Sequence, residues 1–246
     1  MKADSNSPLP TDAASTTQPV ALGWTRSVVA VLALSVALML PALWNGYPVL
    51  YFDTVDYVSM GFTWKLPVYR TAGYGFLALA GWAAHTVWAT LILQVVIAAY
   101  VLFESWRLLT PDLRGWRLAA LLAFAFTLTS LPWVASTIMP DIFTAPAVLL
   151  CLMLALRDDA LTPARRWTFI ALLGLACMAH PTHVTMVAGL LACIWVMSAL
   201  ARRGWPFVPM KVGGVAAGMV LGVILSLATN WMVTDASSLP RVQRRC

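Results

Sequence analysis

Polar residues in this sequence fall in short clusters, and the apolar stretches between them are too long for a water-soluble fold. Apolar blocks occupy residues 27–44, 86–106, 118–134, 142–156, 167–178, 183–200 and 212–232. A helix rises 1.5 Å per residue, so about 20 apolar residues cross the hydrocarbon of a bilayer. The pattern predicts an all-α, polytopic transmembrane bundle of about seven spans. Blocks 142–156 and 167–178 are short and must borrow flanking residues. The stretch 166–202 divides at Ala179-His180-Pro181-Thr182-His183, because a proline disfavours helix in the residue before it. Residues 1–23, rich in Ser, Thr and Pro, read as a disordered cytoplasmic tail. The membrane domain is 24–234, with a long outer loop at 45–85, and 235–246 form a polar tail. The first block ends in Pro41-Ala42-Leu43-Trp44, which is no signal-peptidase site, so the first helix is retained.

Composition narrows the class. Hydrophobic residues make up 61% of the 246-residue chain and charged residues 11%, with a mean hydropathy of +0.79. So few charges cannot cover a water-facing surface, which excludes a soluble domain and a disordered chain alike. The 12 Trp suit a protein with wide membrane–water boundaries. The net charge of +6 is read loop by loop rather than as a nucleic-acid signal. With the N-terminus cytoplasmic, the other side of a seven-span chain carries only Lys65, Arg70, Arg241, Arg244 and Arg245 of the 16 basic residues. The final arginines break the alternation and suggest that the chain stops before its next span or ends in non-native sequence. Cys151, Cys177, Cys193 and Cys246 have no C-x-x-C spacing and read as small apolar side chains. No phosphate loop, dinucleotide fingerprint or nucleophile elbow occurs. Gly214, Gly218 and Gly222 form a small-residue ridge for close packing on another helix, in this chain or in a partner.

The candidate chemistry gathers on the side opposite the N-terminus. The outer loop holds Asp53 and Asp56, three residues apart and on one face of a helix. It also holds Lys65, Arg70 and the aromatics Tyr51, Tyr57, Tyr69 and Tyr74 as interfacial residues, with short amphipathic helices expected along the membrane surface. The next outer loop brings Asp141, and the third brings His180 and His183. Ionisable groups at membrane depth are costly and tend to be functional. Each has a plainer role as well. Asp53 with Asp56, and Asp141, can cap helix starts. Arg70 can anchor at the interface, the histidines can be interface residues, and His85 and Glu104 can be boundary residues. Asp158 and Asp159 are loop charges with no partner pattern.

Tyr51-Phe52-Asp53-Thr54-Val55-Asp56-Tyr57, then Pro67-Val68-Tyr69-Arg70-Thr71-Ala72-Gly73-Tyr74-Gly75, then Met139-Pro140-Asp141, stand in an order that resembles the GT-C superfamily of membrane glycosyltransferases. The resemblance covers about 27–156. The family's adjacent acid pair is spread here into Asp53-x-x-Asp56, and family members are much longer. The resemblance therefore implies an N-terminal portion or a shortened relative. It implies transfer of a sugar from a polyprenyl-phosphate donor to an acceptor at the outer face of a bacterial inner membrane. In that chemistry Asp53 is the general base, Arg70 and Lys65 meet the phosphate, and Tyr74, His180 and His183 are additional site residues. Asp56 and Asp141 could ligate Mg²⁺ or Mn²⁺. Two alternatives stay open: a transporter or flippase, disfavoured by nearly charge-free spans and no repeat, and an accessory subunit packing through the glycine ridge.

Overall fold

The structure is a computed structural model and describes residues 23–66, 70–109, 116–206 and 210–238. The expected N-terminal tail apart from Gly23, Tyr69, and the arginine-rich end lie outside the described residues.

The described chain is helical: α1 Trp24–Leu38, α2 Leu40–Asn45, α3 Thr54–Thr63, α4 Gly73–Ala83, α5 Val87–Leu109, α6 Trp116–Leu128, α7 Leu131–Ser136, α8 Thr144–Leu156, α9 Pro163–Ala179, α10 Pro181–Arg202 and α11 Gly213–Ser238. Each predicted apolar block carries a helix. Only three of the described helices are long and apolar enough to cross a membrane: Val87–Leu109, Pro181–Arg202 and Gly213–Asp235. Trp24–Leu38 and Pro140–Leu156 are apolar but shorter. The structure thus supports a membrane-associated helical protein, with three helices of spanning length where the sequence pattern suggested seven.

Proline accounts for part of the difference. A proline inside a helix lacks the N–H for the i−4 carbonyl and clashes with it, but it is tolerated in the first turn. Pro41 and Pro132 sit in the first turns of α2 and α7. Each therefore starts a new short helix inside what reads as one apolar block. Pro181 does the same for α10, where His180 is extended at φ −148°, ψ 132°. The division of 166–202 falls where the sequence placed it.

The helices pack around a buried core drawn from α1, α4, α5, α8 and α9. Helix α11 lies along α9 through the glycine ridge. A side-chain carbon added at Gly218 would come within 2.7 Å of Leu173, and Gly222 sits directly against Cys177. Gly214 faces Leu154 of α8. The ridge is thus covered by this chain's own helices, so it is not a free surface for a partner.

Charges sort to the two ends of the bundle. At the end holding the last turn of α5 and the starts of α9 and α11, Asp158 pairs with Arg166 at 2.7 Å and with Lys211 at 3.2 Å. Lys211 also holds Asp159, and its N–H donates to the Ala155 carbonyl at 2.9 Å. The acids expected to lack partners are therefore the clasp between the α8–α9 link and the entry to α11. Glu104, expected at a boundary, is instead buried in an ion pair with Arg107 one turn along α5.

We expect Gly218→Leu to force α11 away from α9 and to cost about 1–3 kcal/mol, the usual range for overpacking a tight contact. Thermal melting of the detergent-purified protein checks it, and the exposed Gly189, with nothing near it, serves as the control site.

Candidate functional site

Residues 46–53 and 137–139 are not helical, yet they run beside an apolar bundle. Backbone groups there need partners from the protein. The partners come from one another. Val49 N–H donates to the Ser136 carbonyl at 2.9 Å, and Ile138 N–H donates to the Val49 carbonyl at 3.1 Å, forming a single parallel bridge. Thr54 Oγ1 accepts from Tyr51 N–H at 2.9 Å and donates to the Ile138 carbonyl at 2.8 Å. Ser136 Oγ accepts from Ala42 N–H and donates to the Leu38 carbonyl, both at 3.2 Å, and so bridges the break between α1 and α2.

Gln94, wholly buried in α5, completes the stitch. Its Nε2 donates to the carbonyls of Thr137 at 2.7 Å and Ala135 at 3.3 Å, and its Oε1 accepts from the Tyr74 hydroxyl at 2.5 Å. Both N–H groups and the carbonyl oxygen of that amide find partners inside the protein. The first and second outer loops are thereby fixed to each other and to α4 and α5. Asp53 adjoins Thr54, and Asp141 lies three residues past Ile138, so the stitch brings the two acids to one mouth.

Tyr57, on α3, sits at the centre of the charges. It is 2% exposed and stacks edge-on against the fully buried Tyr74, with ring centroids 5.0 Å apart. Both rings are core, not interfacial anchors as expected; Tyr51 is half exposed. Burial pushes the Tyr57 hydroxyl up to about 12, and Arg70, Asp53, Asp141 and Asp56 all act on it electrostatically. Those four groups therefore lie in one neighbourhood.

Their states differ. Asp53 stands at the start of α3 but does not cap it. Its Oδ2 instead accepts from Arg70 Nη2 at 2.5 Å, with the two side chains 15% and 26% exposed. Asp56 is exposed in the first turn of α3. Asp141 is exposed in a 3₁₀ turn over Pro140–Phe143 and caps nothing with its side chain. Lys65 is exposed on the loop after α3 and is not among the charges acting on Tyr57, Arg70 or His180. Two further donors belong to Arg70 and its neighbour: Arg70 Nε and Thr71 Oγ1 are buried and lack a hydrogen-bond partner among the described residues. Asn230 of α11 sets this strand of chain in place, accepting from Ala72 N–H at 2.8 Å.

The two histidines have structural bonds. His183 is buried, and its Nδ1 meets the Ala176 carbonyl at 2.7 Å. A carbonyl only accepts, so Nδ1 carries the proton and Nε2 accepts from the Thr144 hydroxyl at 3.0 Å. His180 caps α10, its Nδ1 accepting from Thr182 N–H at 3.2 Å and from the Thr182 hydroxyl at 2.6 Å. Burial lowers the His180 pKa, Arg70 lowers it further, and Asp141 and Asp53 oppose the shift. His180 therefore belongs to the same charge cluster, while His183 pins α8, α9 and α10 together behind it. Among the described residues no three His, Cys, Asp or Glu side chains converge as a metal site.

The sequence singled out the acids and Arg70 but not Gln94, Thr54, Ser136, Thr71 or Asn230. One signal was available: Gln94 is a lone amide inside an apolar run, where an unsatisfied amide is expensive. Compared with known proteins, the chain matches no family model, no curated protein and no solved structure.

Two outcomes test the site. Replacing Gln94 with Leu strands two carbonyls and the Tyr74 hydroxyl, at about 1–3 kcal/mol for each buried group left unpaired; faster amide exchange at Ile138 should accompany the drop in melting temperature. The lowered pKa of His180 means that the folded state resists its protonation. That contribution is complete above the ordinary pKa of 6.5 and is lost as the pH falls from there through the folded value. Melting temperature should fall below about pH 6.5, and His180→Asn, which keeps a capping acceptor, should flatten that limb.

Proposed function

We propose that this protein transfers a sugar from a polyprenyl-phosphate donor at the acidic mouth of its helical bundle. The observation that carries the proposal is a pair of adjacent residues with spare donors, Arg70, whose guanidinium holds Asp53, and Thr71: Arg70 Nε and Thr71 Oγ1 are buried without a hydrogen-bond partner among the described residues. Neutral hydroxyls and guanidinium N–H groups left without acceptors favour an oxyanion between them. A phosphate supplies such oxygens, and its lipid tail would lie against the apolar helices. The resemblance in the sequence supports the same substrate class.

In this scheme Asp53 orients Arg70 by holding Nη2, which leaves Nε directed at the phosphate. The acceptor hydroxyl attacks the anomeric carbon, the carbon–oxygen bond to phosphate breaks, and the bonding pair leaves on the phosphate. Arg70 and Thr71 stabilise that charge. The attacking hydroxyl gives its proton to Asp141, which is exposed and has no ion pair among the described residues. This assigns the base role to Asp141 rather than Asp53, because Asp53 is occupied by Arg70. Lys65 would contribute only a distant point charge. Were a divalent cation used instead, Asp56 and Asp141 would hold it and it would supply counter-charge to the leaving phosphate, in place of the base role given to Asp141. The basic far end of the bundle supports a cytoplasmic N-terminus and an outward-facing site, by the positive-inside rule; a bacterial inner membrane is the compartment where such donors would be met.

Full-length protein in proteoliposomes, offered a panel of radiolabelled polyprenyl-phosphate sugars and membrane extract as acceptor, tests this. Asp141→Asn should lower transfer by roughly 10²–10⁴-fold, the usual contribution of a general base. Arg70→Lys should weaken donor use by about tenfold or more, because an ammonium cannot reproduce the fork. Transfer unchanged in both correctly inserted variants would overturn the proposal.

A further inference from the structure

At the opposite, basic end of the bundle lies a second polar feature that sugar transfer does not use. Glu104 and Arg107 form an ion pair of 3.0 Å on α5, their side chains 4% and 6% exposed. Arg107 satisfies Glu104 Oε1, but Oε2 is buried without a hydrogen-bond partner among the described residues. A carboxylate oxygen in that state is a destabilising arrangement unless a donor reaches it. Glu104 is among the residues lining a cleft of about 500 Å³ between α1 and α5, together with Trp24, Val28, Leu32, Tyr100, Phe103 and Arg165. Glu104, Arg165 and Arg107 all act electrostatically on Tyr100, so they share one neighbourhood. Arg165 makes no ion pair among the described residues.

Three demands meet in this cleft. Glu104 Oε2 needs an N–H or O–H donor. Arg165 is suited to an anionic oxygen. The α1 wall is apolar and open, with Leu32 more than half exposed and Val28 partly so. An amphiphile whose head carries both an ammonium and a phosphate meets all three. We propose that this cleft binds an aminophospholipid of the phosphatidylethanolamine class, its ammonium on Glu104, its phosphate on Arg165 and an acyl chain along α1 and α5. A choline head has no N–H to donate, and a purely anionic head meets the Glu104 carboxylate with like charge. The exposed Trp24 at the mouth suits the headgroup level of a leaflet.

Native mass spectrometry of the full chain, released from detergent with ethanolamine, choline or glycerol phospholipids of identical acyl chains, reads the preference. The ethanolamine lipid should be retained roughly tenfold better than the choline lipid, the ratio a charge-assisted hydrogen bond sustains. Glu104→Gln should bring the two within a factor of about two. Because that change also disturbs the pair with Arg107, two variants that leave the pair intact accompany it. Arg165→Ala should weaken both lipids alike and keep their ratio, since both carry the phosphate. Val28→Trp should fill the cleft and abolish retention of both. Equal retention of ethanolamine and choline lipids by the native protein, or a preference for the glycerol lipid, would overturn the proposal; so would undiminished binding in Val28→Trp. Sugar transfer, read in the same preparations, is not expected to depend on Arg165 or Val28, so failure here and failure at the acidic mouth are separable.

Discussion

Much of this structure depends on the requirement that non-helical backbone beside an apolar bundle find its hydrogen bonds within the protein. Two irregular segments meet that requirement jointly: Val49 exchanges bonds with Ser136 and Ile138, and Thr54, Ser136 and Gln94 satisfy the groups that remain. Each of the three side chains serves more than one element, so none of the segments could be placed without the others. Water would satisfy the same groups at little cost in a soluble loop, and the two segments could then drift apart. Here the scarcity of water converts a satisfaction problem into a positioning device. What it positions is the start of α3, with Asp53 and Asp56, against the turn that carries Asp141.

The two charged ends of the bundle solve different problems with the same residue types. At the acidic mouth, Asp53 and Arg70 are partly exposed, and the guanidinium spends one nitrogen on the carboxylate while another stays unused. At the basic end, Glu104 and Arg107 are almost wholly enclosed, and it is the carboxylate that keeps a vacant oxygen. An orphaned donor calls for an anion, and an orphaned acceptor calls for a cation or a hydroxyl. The clasp of Asp158 with Arg166 and Lys211 shows the contrasting, purely structural use, with the carboxylate shared between two bases near the surface. Charge position alone would not separate these three cases; the number of bases on each carboxylate does, one on Asp53, one on the enclosed Glu104 and two on Asp158.

Proline and glycine punctuate the helices in opposite ways. Pro41 and Pro132 divide apolar blocks that hydropathy alone reads as single spans, because hydropathy measures transfer free energy and is blind to a missing N–H. Gly218 and Gly222 let α11 lie directly on α9, so the longest helix of the bundle is held by close contact rather than by large side chains. The sequence marks both sets of residues plainly. It does not say that the glycine ridge is met by a helix of the same chain, since Leu173 and Cys177 lie some forty residues away with no pattern linking them.

The sequence by itself determined the helical, membrane-type class, the positions of the apolar blocks, the break at His180, and the gathering of Asp53, Asp56, Arg70, Asp141 and His180 toward one side. The class, the blocks and the break follow from local quantities, hydropathy over a window and the chemistry of single prolines; the gathering was expected from a seven-span order of loops, of which the described structure carries three helices of spanning length. Tertiary structure decided which apolar blocks are long unbroken helices and that Tyr57 and Tyr74 are core. It also decided that Asp53 is claimed by Arg70 while Asp141 is not, and that Glu104 is enclosed. Those outcomes depend on which donors and acceptors meet across the bundle, between residues up to 158 positions apart in the case of Ala72 and Asn230. No local pattern encodes such a meeting, because it is fixed by the joint packing of all the helices at once.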